Sequence, residues 1–223
     1  MFEFWLASPE KTCLFYRNSY NDNMLENKLN ITSQAELNRE EERIGKQRAK
    51  ELFDTGQIDK IPVGTWTGLA EIHKFLFGDI YDFAGIMRDV NISKGNFRFA
   101  PVMYLAASLE HISKMPFSTF DEIIEKYVEM NIAHPFREGN GRAGRIWLDL
   151  MLKSAVGKVV DWNAVDKDKY MDAMVRSTVN DIEIKHLLSG ALTDEIHNRE
   201  IFMRGIDASY YYEGYNEYKT EEV

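Results

Sequence analysis

Residues 134–145 read HPFREGNGRAGR, a polar and glycine-rich segment that lies between two apolar stretches. Before it, Thr119 and Glu122 form a capping-box pattern, and the apolar residues that follow have helical spacing. Pro135 disfavours helical backbone at the residue before it, so this helix is predicted to end there. After the segment, residues 146–152 are apolar on nearly every side, which is typical of a central helix in a bundle. The chain is therefore predicted to place a polar loop between two core helices.

The composition of this loop indicates an anion site. Gly139, Asn140 and Gly141 allow successive backbone N–H groups to turn inward, and the positive end of the following helix adds to the attraction. Arg142 and Arg145 stand in the first turn of that helix, where a cation is unfavourable unless an anion lies close by. Two arginines and several backbone donors suit a polyphosphate. A Walker-type phosphate loop is absent from the sequence.

Two further side chains in the segment suggest catalysis. Glu138 would repel a phosphate unless a divalent cation lay between them, which points to Mg²⁺. His134 has the pKa range of a general base. A zinc site is the alternative because the two residues are four apart, but Pro135 and Gly139 argue against a continuous helix and no third ligand is evident. Each residue alone has a structural explanation; together, within twelve residues, they favour a site.

The rest of the chain predicts an all-α fold, a helical bundle with one β-hairpin flap. Residues 90–100 form two short alternating runs around Lys94-Gly95-Asn96, a hairpin pattern whose role could be purely structural or functional. Helix-forming composition or helical spacing predicts a mainly solvated helix over 34–52, a core helix over 67–77, and later helices over 170–175, 182–192, 194–204 and 207–213. Residues 1–30 lack a sustained period and are assigned no function.

Composition limits the classes of partner and compartment. The 223 residues are 44% hydrophobic and contain no linker-like stretch, which predicts one domain with appendages at its ends. A net charge of -9 repels a phosphate backbone, so no direct contact with nucleic acid is expected. Cys13 is the only cysteine, and neither a signal peptide nor a membrane span is evident, so we expect a cytoplasmic protein without a membrane partner. Export without a signal would leave no such trace.

The segment 134–145 resembles the motif of the Fic family, His-Pro-Phe-x-(Asp/Glu)-Gly-Asn-Gly-Arg-x-x-Arg, at every specified position. Residues 81–88 are similar to the family's Phe-Ala-Gly segment, and the hairpin lies where Fic proteins carry a flap that docks the target. The resemblance covers about residues 50–215. It implies a Fic-type bundle divided into an N-terminal arm and helix (1–49), a Fic core (50–192) and C-terminal helices (193–223).

This resemblance implies a protein adenylyltransferase, or AMPylase, which moves AMP from ATP to a Tyr, Thr or Ser hydroxyl of a protein target. His134 would act as the base, Phe136 would anchor the loop, and Glu138 would hold Mg²⁺. The implied contacts to ATP are Lys94, Asn131, His134, Gly139, Asn140, Gly141, Arg142 and Arg145, with Arg145 on the γ-phosphate. The target would dock on the flap at Ile92, Phe97 and Phe99. In the phosphate-transferring Doc branch a lysine stands at the position of Gly141, so AMP transfer is favoured here.

The C-terminal part resembles the inhibitory signature of the same family, (Ser/Thr)-x-x-x-Glu-(Gly/Asn). Here the signature starts at Ser209 and includes Glu213, within an inhibitory helix predicted at 207–214. Residues four apart share one helix face, so Glu213 is expected to pair with Arg145 and to prevent productive ATP binding. The tyrosines between the two signature residues, expected to be exposed, are candidates for automodification with AMP: Tyr210, Tyr211 and Tyr212.

Two other functions remain open from the sequence. The same site could remove AMP from a modified protein, or the chain could be a non-catalytic module that binds nucleotide and regulates a partner. The target is not readable from the chain; topoisomerase subunits are the family-level expectation for some bacterial members. A homo-oligomer is also left open.

Overall fold

The computed structural model describes residues 24–94 and 97–223, so Cys13 and most of the predicted N-terminal arm lie outside the described residues. The described part contains eight α-helices: α1 (Gln34–Asp54), α2 (Trp66–Phe77), α3 (Val102–Lys114), α4 (Phe120–Ala133), α5 (Asn140–Val156), α6 (Lys167–Arg176), α7 (Ile182–Ser189) and α8 (Arg199–Tyr212). Within this part, no helix is both long and apolar enough to cross a lipid bilayer.

The strands are short and form two antiparallel pairs. β1 (Ser93–Lys94) pairs with β2 (Phe97–Arg98), which confirms the predicted hairpin; its turn residues, 95–96, are not among the described residues. β3 (Val159–Val160) pairs with β4 (Leu192–Thr193), a pair that the sequence did not predict. Two-residue strands are too short to produce a recognisable alternating pattern. The predicted fold class, a helical bundle with a hairpin, is confirmed.

Helix α5 occupies the centre of the bundle and packs against α2 and α4. Its Trp147 is fully buried, and the indole Nε1 donates a hydrogen bond to the Thr65 carbonyl at 3.0 Å. Helix α4 begins with the predicted capping box between Thr119 and Glu122 and ends at Ala133, next to the proline that was expected to stop it. The two helices predicted to flank the polar loop are therefore present.

Helix α1 is not the mainly solvated helix that its composition suggested. Leu37 and Leu52 are buried, and the charged residues Glu41, Glu42 and Lys46 are buried with them. Burial of these charges is possible because each has an opposite charge nearby on α5, on α8 or on α1 itself. A charge-rich composition predicted the helix correctly but not the side that faces the core.

The C-terminal helices differ from the prediction in their boundaries. Residues 194–204 and 207–213 do not form two helices, because α8 runs continuously from its N-cap, Asn198, to Tyr212. Gly205 lies inside this helix, where an added β-carbon would stand 3.1 Å from the Trp162 ring, so the glycine permits close packing rather than a break. The helix predicted over 182–192 ends at Ser189, and α3 was not predicted.

Candidate active site

The loop between α4 and α5 is held in a defined shape by its own residues. His134 has left-handed backbone, with φ of 48°, and Gly139 has φ of 77°. The Asn140 side chain accepts a hydrogen bond from the Phe136 N–H at 2.8 Å and donates one to the Phe136 carbonyl at 2.9 Å. Phe136 is fully buried, as expected for an anchor. Because the Asn140 amide bonds within the loop, this residue would contact a ligand through its backbone.

The tautomer of the His134 ring leaves Nε2 as the proton acceptor, although its pKa lies below the general-base range that the sequence predicted. It stacks on Phe99 of the flap, with ring centroids 3.7 Å apart. Its Nδ1 lies 3.3 Å from the Asn131 carbonyl, an acceptor only, so Nδ1 carries the proton and Nε2 keeps its lone pair. Burial and the nearby charge of Lys94 lower the pKa of His134 to about 3. The imidazole is therefore neutral near pH 7.

Arg88, to which the sequence analysis gave no role, holds the backbone of His134 in place. Its guanidinium is buried and donates hydrogen bonds to four backbone carbonyls, those of Val90, Ala100, Ala133 and His134. These bonds connect the hairpin to the end of α4. The signal available in the sequence was its place at the end of the segment 81–88, which resembles a known family segment.

His73 of α2 fixes the other side of the loop and was also missed. Its Nδ1 accepts a hydrogen bond from the Gly85 N–H at 2.9 Å, so the proton lies on Nε2, which donates to the Glu138 carbonyl at 2.8 Å. The ring stacks on Phe136 with centroids 3.7 Å apart. Burial lowers the pKa of His73 to about 3, which keeps the ring neutral in this role.

Arg142, predicted to contact phosphate, is paired with carboxylates of the chain itself. Its guanidinium is 1% exposed and contacts two carboxylates: Nη2 lies 3.0 Å from Glu138 Oε1, and Nη1 pairs with Glu41 of α1. The predicted phosphate contact of Arg142 stays a prediction; in this structure its guanidinium is neutralised by the two carboxylates. Glu41 was not identified from the sequence, since its partner is 101 residues away.

Glu138, the residue predicted to hold Mg²⁺, lies beside Arg142. Its side chain is 26% exposed beside the first turn of α5. Burial raises the pKa of Glu138 against the opposing charge of Arg142. Over residues 24–94 and 97–223, no cluster of three His, Cys, Asp or Glu side chains could hold a metal ion. A single carboxylate fits Mg²⁺, which commonly takes one or two carboxylates together with substrate phosphates and water.

Arg145 is bound to the C-terminal helix. Its Nε donates to Ser209 Oγ at 2.6 Å, and its Nη2 lies 2.9 Å from the Ser209 carbonyl and 3.2 Å from Glu213 Oε1. Lys94 of the flap lies 3.5 Å from the other oxygen of Glu213. Burial alone would raise the pKa of Glu213, but the charges of Lys94 and Arg145 outweigh it and lower the pKa to about 2. The structure thus brings together the residues that the sequence placed in an inhibitory contact.

The Glu213 carboxylate also lies over the N-terminus of α5. A β-carbon added to Gly141 would overlap Glu213 Oε1 and come within 3.2 Å of the Arg145 guanidinium. A carboxylate therefore occupies the space beside the backbone that was predicted to bind phosphate. Such a position is favourable for an anion because the N-terminus of a helix carries partial positive charge.

The three consecutive tyrosines differ in exposure, contrary to the expectation that all three face solvent. Tyr210 is 1% and Tyr212 4% exposed, whereas Tyr211 is 53% exposed. The Tyr212 hydroxyl donates to the Val165 carbonyl at 2.8 Å, and Tyr210 packs against Gly45 of α1. Because α8 is covered on two sides, only Tyr211 presents its hydroxyl to solvent; Tyr210 and Tyr212 are wrong as exposed acceptors.

The hairpin residues predicted to dock a target also differ. Phe97 is half-buried and packs edge-on against Phe99, with centroids 5.1 Å apart. Ile92 is buried, and its carbonyl accepts a hydrogen bond from the Phe99 N–H at 3.3 Å. The Ile92 side chain is therefore a packing residue of the flap and is not available to a docked protein, because the protein interior already covers it.

The sequence and the fold of this chain are similar to those of known proteins. Residues 65–152 match the model of the Fic/DOC family. The chain is 31% identical over 187 residues to protein adenylyltransferase VbhT of Bartonella schoenbuchensis, covering 78% of this chain and 38% of that protein. It is 28% identical over 174 residues to the probable protein adenylyltransferase y4lH of Sinorhizobium fredii, covering 71% of this chain and 85% of that protein. A crystal structure of BepC from Bartonella tribocorum with bound AMPPNP has a similar fold, with a TM-score of 0.62, 20% identity, and coverage of 78% of this chain and 95% of that one.

Proposed function

We propose that this chain, which carries a Fic/DOC-family domain over residues 65–152, transfers AMP from ATP to a hydroxyl group of a protein target. The observation that carries the proposal is the neutral His134 imidazole, together with a helix N-terminus beside which the Glu213 carboxylate occupies the space predicted for phosphate. The names of VbhT and y4lH and the AMPPNP bound to BepC support a nucleotide substrate.

The proposed reaction uses His134, the N-terminus of α5 and Arg145. The lone pair of His134 Nε2 takes the proton from the target hydroxyl, whose oxygen attacks the α-phosphorus of ATP. The bond between the α-phosphorus and the α–β bridging oxygen breaks, and pyrophosphate leaves with the electron pair. Backbone N–H groups at Gly139, Asn140 and Gly141 would bind the phosphates, because they open the N-terminus of α5. Arg145 would bind the γ-phosphate after its release from Glu213.

Mg²⁺ is part of the proposal. Glu138 would hold the ion, which when bound neutralises phosphate charge and favours departure of pyrophosphate. The remaining nucleotide contacts proposed are Lys94, whose Nζ is already 3.5 Å from an anion, and Asn131, whose carbonyl orients His134. We further propose that the target docks along the flap at Phe97 and Phe99, and that Tyr211 is the exposed hydroxyl available for automodification.

Glu213 would inhibit this reaction in two ways. It neutralises Arg145, which would otherwise bind the γ-phosphate, and its carboxylate lies in the space over Gly141. While Glu213 is in place, ATP could not put its γ-phosphate on Arg145 or a phosphate beside Gly141. Its α-phosphorus would therefore be misplaced for attack. The inhibition is therefore proposed to come from the same chain.

The proposal is tested with purified variants, Mg²⁺ and ATP, with AMP on protein measured by mass spectrometry. We expect Glu213→Gly to increase AMP incorporation by at least about tenfold over the unmodified chain, a conservative value for release of a charge-assisted contact. The double variant Glu213→Gly/His134→Ala should incorporate none. Glu26→Gly, the same change at an exposed side chain outside the helices, is the matched control and should behave like the parent.

Two outcomes would overturn the proposed function. Equal AMP incorporation by Glu213→Gly with and without His134 would contradict catalysis at this site and favour a nucleotide-binding regulatory module. Release of AMP from a pre-labelled protein, without incorporation into an unlabelled one, would favour the reverse reaction.

A further inference from the structure

Helix α1 lies outside the 65–152 segment that matches the family, yet it contributes a buried carboxylate to the site. The Glu41 side chain is 2% exposed and pairs with the Arg142 guanidinium. The same carboxylate accepts hydrogen bonds from the Tyr81 hydroxyl and, at 3.1 Å, from the Tyr215 hydroxyl. Three donors from separate parts of the chain therefore converge on one residue of α1.

Arg142 transmits this arrangement to Glu138. Its two terminal nitrogens are divided between the carboxylates: Nη1 contacts Glu41, and Nη2 lies 3.0 Å from Glu138 Oε1. Three aromatic rings enclose the guanidinium, with their centroids 4.9 to 5.1 Å from its central carbon: Phe77, Tyr210 and Tyr215. Because this pocket leaves Arg142 little freedom, its Nη2 helps to fix the Glu138 carboxylate, together with the Gly139 N–H, which donates to the same oxygen at 2.9 Å.

We propose that Glu41 is a positioning residue for the metal ligand Glu138, acting through Arg142. This inference rests on the proposed function, in which Glu138 holds Mg²⁺. Partners that orient a metal-binding carboxylate commonly change metal affinity by about 10- to 100-fold when they are removed. Glu41 supplies the main negative charge on the far side of Arg142, so Glu138 does not have to neutralise the arginine alone.

Loss of the Glu41 charge removes one of the two carboxylates that neutralise Arg142. The buried guanidinium would then have Glu138 as its nearest carboxylate and would attract it more strongly. A carboxylate drawn onto the arginine is less available to a cation. The expected effect is therefore specific: binding of the metal–nucleotide complex weakens more than binding of the nucleotide alone.

The test measures binding rather than turnover. In the Glu213→Gly background, the affinity for ADP is measured by calorimetry with and without Mg²⁺. We expect Glu41→Gln to weaken Mg²⁺-dependent ADP binding by about tenfold or more, with a much smaller change in the absence of Mg²⁺. Glu41→Asp keeps the charge but withdraws the carboxylate from Arg142 by one methylene, so it should give a smaller change in the same direction.

Glu42→Gln is the matched control. Glu42 is the next residue on α1 and equally buried, but it pairs with Lys46 at 2.9 Å and accepts backbone hydrogen bonds from residues 217 and 218. This variant should lower the melting temperature and leave Mg²⁺-dependent ADP binding unchanged.

Two results would overturn the inference: a Glu41→Gln or Glu41→Asp variant that folds and binds Mg²⁺ and ADP like its parent, or an equal loss in the Glu42 control. The outcome is independent of the proposed transfer reaction. A Glu213→Gly parent that binds Mg²⁺ and ADP but transfers no AMP would refute the proposed function. The effect of Glu41→Gln on Mg²⁺-dependent ADP binding could still be measured.

Discussion

His134 stands where a helix stops, and its backbone has a conformation that most side chains avoid. A φ of 48° costs free energy for a non-glycine residue, and asparagine tolerates it better than most. We therefore expect His134→Asn, in the Glu213→Gly background, to lose about 10²- to 10⁴-fold in AMP transfer, the typical contribution of a general base. The loss should come with little change in melting temperature. Initial rates and thermal melts test this prediction; retention of more than a tenth of the rate would contradict it.

The charge of Glu213 sets how the proposed inhibition responds to pH. Burial raises its pKa, but Lys94 and Arg145 lower it to about 2, below its ordinary value of 4.5. A depressed folded-state pKa means that the ion pair contributes fully above the unfolded value and is lost only as pH falls through the folded one. The ratio of AMP transfer rates between the parent and Glu213→Gly should therefore stay constant from about pH 8 to about pH 5.5. A ratio that rises steadily with acidification would contradict this expectation.

Single residues show where sequence information is sufficient for the site and where it is not. The contiguous motif singled out His134, Glu138 and Arg145 as candidate site residues, because they lie close together in the sequence. Glu41 and Arg88 were not identified as site residues. Glu41 lies in a Glu- and Arg-rich run that is typical of a solvated helix, and its function depends on a partner that only folding brings near.

At the level of elements, α8 is held in place by the chain that follows it. Backbone N–H groups of Glu217 and Tyr218 donate to Glu42 of α1, and Thr220 donates to Asp207 of α8 through its backbone and its hydroxyl. Because Glu213 caps this helix, its position over the site depends on these contacts.

Removal of residues 216–223 is therefore expected to raise AMP transfer by several-fold, with less effect than Glu213→Gly, because the carboxylate remains but is held less firmly. The measurement is the initial rate of AMP incorporation by the truncated chain. Truncation combined with Glu213→Gly should add nothing to Glu213→Gly alone. Additive increases would show that the tail acts by a different route.

Elements were predicted from sequence to different degrees. Helices α2, α4 and α5 were recognised because strong periodicity coincides with caps or with a proline. Helix α8 was divided in two, since Gly205, with Asp207 two residues later, resembles a break between helices. The tertiary contact between Gly205 and Trp162 keeps the helix continuous, and no local pattern reports it.

Across the whole molecule, one buried lysine connects three parts of the chain. Lys46 Nζ on α1 lies 2.9 Å from Glu42, 3.0 Å from Asp207 on α8, and 2.6 Å from the Tyr218 carbonyl. Its side chain is 2% exposed, so its loss would leave buried carboxylates without this counter-charge.

We expect Lys46→Ala to lower the free energy of unfolding by about 3 to 5 kcal/mol, the usual cost of removing one partner of a buried ion pair. Urea denaturation measures this change. Lys114→Ala, which removes a solvent-exposed pair with Glu110, is the control and should leave the midpoint nearly unchanged. A similar midpoint shift in both variants would contradict the role of Lys46.

The fold class was predictable because apolar residues at helical spacing indicate helices with one buried face. The arrangement of α1 and the C-terminal tail around the core was not, since it depends on contacts between distant residues such as Lys46 and Asp207. The division into an N-terminal part, a core over 50–192 and C-terminal helices stays a prediction. Helix α1 packs directly against α2 and α8.

The placement of Glu213 and Arg145 on one polypeptide has a consequence for how inhibition scales. An inhibitor tethered to its own site has an effective concentration that does not fall when the protein is diluted. The ratio of inhibitor to site is one at every level of expression, so synthesis of more protein does not lower the inhibited fraction. Under the proposed mechanism, activity would rise only through an event on the molecule itself, such as displacement of α8 or cleavage of the chain before Glu213.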